Sequence, residues 1–320
     1  MAERIATVTE LRPGSAAVAV DPDPVVVRCT APDALSNLVA VLELAADGHV
    51  RCSAATRCPS VSTVKLVEDV LVTGDYYDVG EPIAAFAWPL LILTGGLAQL
   101  TENRLELTIR GRAVLAGPGY PALGALWARW RQSVSTDELS RIEAIKGQRR
   151  PSTLTPAVGR RAVVTAALAT LEPGVWTGID ELFGFLQTQR PPLVAARSLL
   201  ALWRLYIADL YYGSLGHAGP RAWDIVEGRY ALCVLFEYAA TVGLIDVAYA
   251  DPCGARDDYR ALWGADQYAY LSRYDGLVAV RVNQLGAAIL HDPGALPGIR
   301  LPVPRRPPWS GHPRPSGPLG

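Results

Sequence analysis

The side chains able to do chemistry in this 320-residue chain are few and widely spaced. Cys29, His49, Cys52 and Cys58 fall within about thirty residues of one another and offer soft ligands in the spacing His-x2-Cys-x5-Cys. Structural zinc is normally held by more tightly paired ligands, and the alternation of HVRC (49–52) turns Cys52 inward, so these thiols read as buried or incidental and no metal is expected. Ser214 and His217 stand close together in GSLGH, but a nucleophile and its base are brought together from distant segments, and no Gly-x-Ser-x-Gly occurs. Nor is there a Gly-x4-Gly-Lys-Ser/Thr phosphate cradle; Gly117, Gly119 and Gly124 miss the dinucleotide spacing and follow a helical stretch where that fold needs a strand. The thirty-one acids make carboxylate pairs by chance alone. These residues predict a non-catalytic protein without a cofactor.

Charge carries more information. The whole chain is −1, so no global field draws it to nucleic acid or membrane. Between residues 104 and 161, however, eleven basic residues stand against four acids, a net of +7. Arginine predominates there, suited to bidentate phosphate contact, and Trp127 and Trp130 are interleaved with it. The candidate DNA contacts are Arg104, Arg110, Arg112, Arg129, Arg131, Lys146, Arg149 and Arg150, joined by Arg281 in the second half of the chain.

The elements that must position these arginines are legible through an internal repeat. LELTIRGRAVL (105–115) lies without gaps on VRVNQLGAAIL (280–290), and TGGLAQL (94–100) on TVGLIDV (241–247). In each copy a helix ends at a glycine suited to the left-handed turn, Gly96 or Gly243. A strand follows, a return strand of period two comes back, and Thr108 or Asn283 stands at the N-cap of a new helix. Helix, two-stranded wing, helix is the second half of a winged-helix domain. The expected fold is mainly α with small β wings, as tandem winged-helix, or helix-turn-helix, domains.

Upstream, VGRRAVVTAALATL (158–171), VWT (175–177) and GIDELFGFLQ (178–187) supply the first helix, short strand and second helix of copy two. The matching parts of copy one are STVKLVEDVLV (62–72) and EPIAAFAWPLLILTGG (81–96). A fainter third echo, DALSNLVAVLELAADGHVRCSAAT, carries a helix, Gly48 and a strand in the same order. The domain reading is a flexible N-terminus (1–23), a first winged-helix region (24–145), a basic linker (146–161), a second domain (156–291) and a disordered basic tail (292–320) rich in proline and glycine. Copy two carries insertions at 190–220 and 248–276, and long structured insertions usually present a contact surface. The cysteine count is odd and the opening residues lack a secretory pattern, so a reduced cytoplasmic protein is expected. The longest apolar runs are too short for a bilayer.

VRCSAATRCPSVSTVKLV, LTENRLELTIRGRAVL, DELSRIEAIKGQRR, WRLYIADLYYGSLG and GRYALCVLFEYAATVGLIDVAY together resemble a group of uncharacterised bacterial tandem winged-helix proteins, similar to helicase-associated accessory regions. The resemblance covers most of residues 45–290. It implies the fold; it implies no reaction and no catalytic residue.

A base-reading helix needs several polar side chains on one face, yet IAAFAWPLLILTGG offers none and WDIVEGRYALCVLFEYAATVG offers mostly acids. The expectation is therefore low-specificity binding of double-stranded DNA through wings, linker and phosphate contacts, accessory to a DNA-processing or regulatory complex. The alternative is a protein-interaction adapter that uses the 190–220 insertion, with its Trp203, Tyr206, Tyr211 and Tyr212, and does not bind DNA.

Overall fold

Three residues of strand β1 (Val26–Arg28) lead into helix α1 (Ala31–Ala46), where Pro32 sits in the first turn and its missing amide costs nothing. In the computed structural model the residues described are 24–78, 80–149, 152–291 and 296. The expected flexible N-terminus, Arg150 and, apart from Leu296, the expected basic tail lie outside them.

Leu38, Val41, Leu42 and Ala45 form the buried stripe of α1, and Gly48 (φ +75°) turns the chain out of it. Helix α2 (Val61–Val70) is capped by the Ser60 hydroxyl, which accepts from the Thr63 amide at 3.2 Å. Helix α3 (Ala84–Thr94) has no local cap; the Asp75 carboxylate instead accepts from the amides of Ile83, Ala84 and Ala85 at 2.8 to 3.1 Å. Strands β2 (Ala98–Thr101) and β3 (Arg104–Leu107) form a hairpin with Glu102 at its turn (φ +57°), and helices α4 (Ile109–Ala116) and α5 (Tyr120–Gln132) follow.

The second half begins with α6 (Ala157–Thr170), strand β4 (Trp176–Gly178), α7 (Ile179–Thr188) and a one-turn α8 (Leu199–Leu202). A central helix then runs through residues 224–239, with α9 (Arg229–Cys233) flanked by two π-helical stretches. Strands β5 (Ile245–Tyr249) and β6 (Leu277–Val282) and helix α10 (Gln284–His291) complete it. The larger sheet has the order β1-β5-β6-β4, each neighbouring pair antiparallel.

The sequence repeat is also a structural repeat. Gly96 and Gly243 both take positive φ, +73° and +87°. Thr108 Oγ1 donates to the Gly96 carbonyl at 2.9 Å and accepts from the Gly111 amide at 3.1 Å. Asn283 makes the same two bonds with its two ends, Nδ2 to the Gly243 carbonyl and Oδ1 from the Gly286 amide, each at 3.0 Å. The third echo is not a third unit. Its strand residues 50–52 lie against β3, with Arg51 opposite Arg104 and the Leu105 amide donating to Val50 O at 2.9 Å, as β4 lies against β6. Helix α1 and this stretch are the opening helix and strand of copy one, whose motifs a one-dimensional match displaces.

One buried core contains residues of both halves, so the break near 146–161 separates repeats without separating two cores. The helix at 224–239 is buried along its length: Tyr238 stacks on Trp130 (4.4 Å between centroids), Phe236 meets Tyr76 edge-on at 4.5 Å, and Glu237 accepts from Arg141 Nε at 3.0 Å through both oxygens. Among the described residues no helix is long and apolar enough to cross a membrane.

Candidate nucleic-acid interface

Three of the sequence-predicted arginines share one depression. The period-two alternation of β3 buries Leu105 and Leu107 and sends Arg104 and Glu106 outward. The Thr108 cap starts α4 immediately afterwards, and its first turn carries Arg110 and Arg112 beside them. These side chains, Gln99 and the end of α1 (Ala45 to Gly48) surround an open depression of about 980 Å³. Gly48, held at φ +75°, lies beside the Arg104 side chain, within van der Waals range of its guanidinium. Arg129, in the last turn of α5, lies over Gly96 at the same border. Arg112 is partly tethered, donating from Nη1 to the Leu107 carbonyl at 2.6 Å. Asp47 and Glu106 share the wall, but among the described residues none of these arginines is in a salt bridge.

Arg51 joins this cluster and escapes a sequence scan because it lies outside the basic segment. Its cross-strand position opposite Arg104 puts both side chains on one face. The signal was there in the outward position of Arg51 within HVRC.

Other members of the basic segment are placed differently. Arg161 is fully buried and pairs with the fully buried Glu138, donating from Nε at 2.9 Å, while Arg160 pairs with Asp137 and Arg141 with Glu237. Burial pushes the Glu138 carboxyl up, with Arg161 opposing that rise. Three of the eleven basic residues are thus neutralised inside the fold, which a count along the chain does not reveal. Arg131 is half-buried, with Nε enclosed and unpartnered. Lys146 and Arg149 are exposed on the linker, where the Lys146 backbone bridges to Tyr206, and Arg150 is outside the described residues.

Arg281, expected as a contact of a second wing, is paired within the fold. It is tied to Asp246 at 2.7 Å and lies over the Trp176 ring at 4.7 Å. The same register position in copy one holds the neutral–acid pair Gln99 and Glu106, so the repeat places an ion pair in one copy and an open wall in the other.

The two helices expected in the recognition position are α3 and the central helix, both largely buried. Ala84, Ala85, Ala87, Trp88 and Leu90 to Ile92 of α3 are buried, and so is the central helix. Of the cysteines weighed as soft ligands, Cys52 is buried, which pushes its thiol up to about 12, and Cys29 lies near Arg281; the described residues contain no group of three or more side chains that could hold a metal ion. Ser214 spends its hydroxyl on the Trp203 carbonyl at 2.8 Å, and His217 packs against the Trp203 ring.

The two insertions of copy two meet at a separate surface. Tyr212 and Trp263 lie 5.6 Å apart, and Tyr211, the most exposed aromatic residue of the group, is 77% accessible. No protein-family model matches this chain, and no curated protein and no solved structure matches it at a significant level.

Proposed function

We propose that this is a non-catalytic protein of tandem winged-helix domains that binds double-stranded DNA with low specificity, accessory to a DNA-processing or regulatory complex. The winged-helix reading is supported by the order of elements in both copies: helix, short strand, two helices, then a hairpin whose return strand pairs with the short strand. The observation that carries the DNA reading is the shared depression in which Arg104, Arg110 and Arg112 stand without carboxylate partners among the described residues, bordered by Arg51 and Arg129.

Guanidinium groups on a wing and at a helix start suit phosphate oxygens, and phosphate contact positions a protein without reading sequence. Burial of both third helices supports low specificity, because base edges are read by side chains that enter a groove. The test is the affinity for a random-sequence duplex over a salt series. Arg104→Ala with Arg110→Ala is expected to lessen the slope of log K against log salt by about 2. Absence of duplex binding at low salt would sink this reading.

A second reading, the protein adapter, is favoured by the exposed aromatic surface built from both insertions, Tyr211, Tyr212 and Trp263. Capture of a partner that is lost on Tyr211→Ala with Trp263→Ala, together with no duplex binding, would support it instead.

A further inference from the structure

The repeat is an internal control for what the fold requires. Copy two keeps the features that build its return strand and the helix after it: the inward alternation of Val280 and Val282, the Asn283 cap and the close packing of Gly286. Four side chains at the copy-one depression have no counterpart there. Arg104, Ile109, Arg110 and Arg112 lie in register with Ala279, Gln284, Leu285 and Ala287. The fold is thus built without those four, and three of them are the arginines assigned above to phosphate.

The fourth is Ile109, the first residue of α4, which is 81% exposed and lines the depression. Among the described residues Val61 and Val134 are as bare, but neither lines it, and Leu107, which does, is buried. Ile109 and Arg112 are three residues apart and share a helical face, and Arg112 is held in place by the Leu107 carbonyl at 2.6 Å. A β-branched side chain has few rotamers, so Ile109 stands as a stiff apolar point among cations. A single exposed isoleucine needs no explanation by itself. One flanked by guanidinium groups does, because a polyanion drawn to the cations is brought onto it. A ligand made of phosphates alone leaves this side chain in water, whereas a duplex offers phosphates on its strands and apolar base faces between them.

We propose that Ile109 is a wedge: it enters between two base pairs from the minor groove and opens the step, while Arg104, Arg110 and Arg112 hold the flanking phosphates, so that the protein kinks the duplex it binds. This rests on the DNA reading above and adds a source of preference that needs no base contacts. Unstacking is easiest at pyrimidine–purine steps and at mismatches, so those are the favoured sites.

The test uses the full chain and end-labelled duplexes of about 20 base pairs, one with a central mismatch and one with a central A-tract. Energy transfer between the ends reads the kink, and a salt series reads the phosphate contacts. The wild type is expected to bring the ends together and to favour the mismatch over the A-tract by about tenfold. Ile109→Gln copies Gln284, the exposed residue at this place in copy two. It is expected to lose the kink, the preference and about tenfold in affinity for the mismatched duplex, with the salt slope unchanged, while Ile109→Leu keeps all three. An Ile109→Gln variant that kinks and discriminates like the wild type overturns the wedge and leaves the DNA reading standing. A wild type that binds without kinking does the same. Absence of duplex binding at low salt overturns both.

Discussion

Gly111 stands directly on the Leu97 carbonyl: a Cβ at residue 111 would overlap that oxygen, and Gly286 has the same relationship to Leu244. In each copy the first turn of the helix after the two strands packs on the backbone that leaves the previous helix. A side chain there must displace main chain. Gly111→Ala and Gly286→Ala are each expected to destabilise by about 3 kcal/mol, as overpacking against backbone does. Gly184, exposed in α7 with nothing within 4 Å of its missing Cβ, is the control, and Gly184→Ala is expected to stabilise by up to about 1 kcal/mol. Urea unfolding of the three variants checks this, and equal effects at the three sites would refute it.

The two caps separate a hydrogen bond from its chemistry. Thr108 and Asn283 each donate to the preceding glycine carbonyl and accept from the amide three residues on. Thr108→Ala is expected to cost about 1 to 2 kcal/mol, whereas Thr108→Asn, which copies the other repeat, is expected to recover most of it. Thermal unfolding of the pair decides the matter.

Arg161 and Glu138 are both fully buried, and Arg161 also donates to the Trp130 carbonyl at 2.9 Å. Removing one partner leaves an uncompensated interior charge, so Arg161→Met should cost about 3 to 5 kcal/mol. Adding Glu138→Gln should restore part of that loss. A double-mutant cycle measures it, and additive losses would show that the pair is not coupled.

Glu227 provides a pH signature. Its carboxylate accepts from the Ala195 amide at 2.8 Å, tying the 190–220 insertion to the central helix, and burial raises its pKa to about 7. Below the unfolded value near 4.5 both states are protonated; between 4.5 and 7 the unfolded chain releases the proton first, so stability falls as pH rises through that window. The loss is on the order of 3 kcal/mol for the full shift. Glu227→Gln keeps an acceptor for Ala195 and removes the titration, so its stability advantage over the wild type should be small at pH 5 and widen by pH 8. A constant difference across denaturation curves at the two pH values would contradict this.

Arg281 and Arg104 should part company. Arg281 is held by Asp246 and Trp176, so Arg281→Ala is expected to lower stability by about 1 kcal/mol and leave the salt dependence of duplex binding unchanged. Arg104→Ala is expected to reduce that dependence by about 1 with little effect on unfolding.

The order of helices and strands was legible because it rests on local rules: period-two alternation in LEL and VRV, glycines at the helix ends, Thr108 and Asn283 at the caps. The duplicated pattern made each copy a check on the other, and the apolar character of both third helices already argued against base reading. Charge was different. A run of arginines records how many are near one another along the chain, but a guanidinium's availability depends on which carboxylate the fold brings to it across tens of residues. Only the tertiary structure separated Arg141, Arg160 and Arg161, paired inside the core, from Arg104, Arg110 and Arg112 around an open depression, and brought Arg51 to join them. The same long-range packing seats the start of α1 against β5 in copy two, while among the described residues β2 of copy one pairs only with β3, so two similarly patterned sequence motifs face different surroundings.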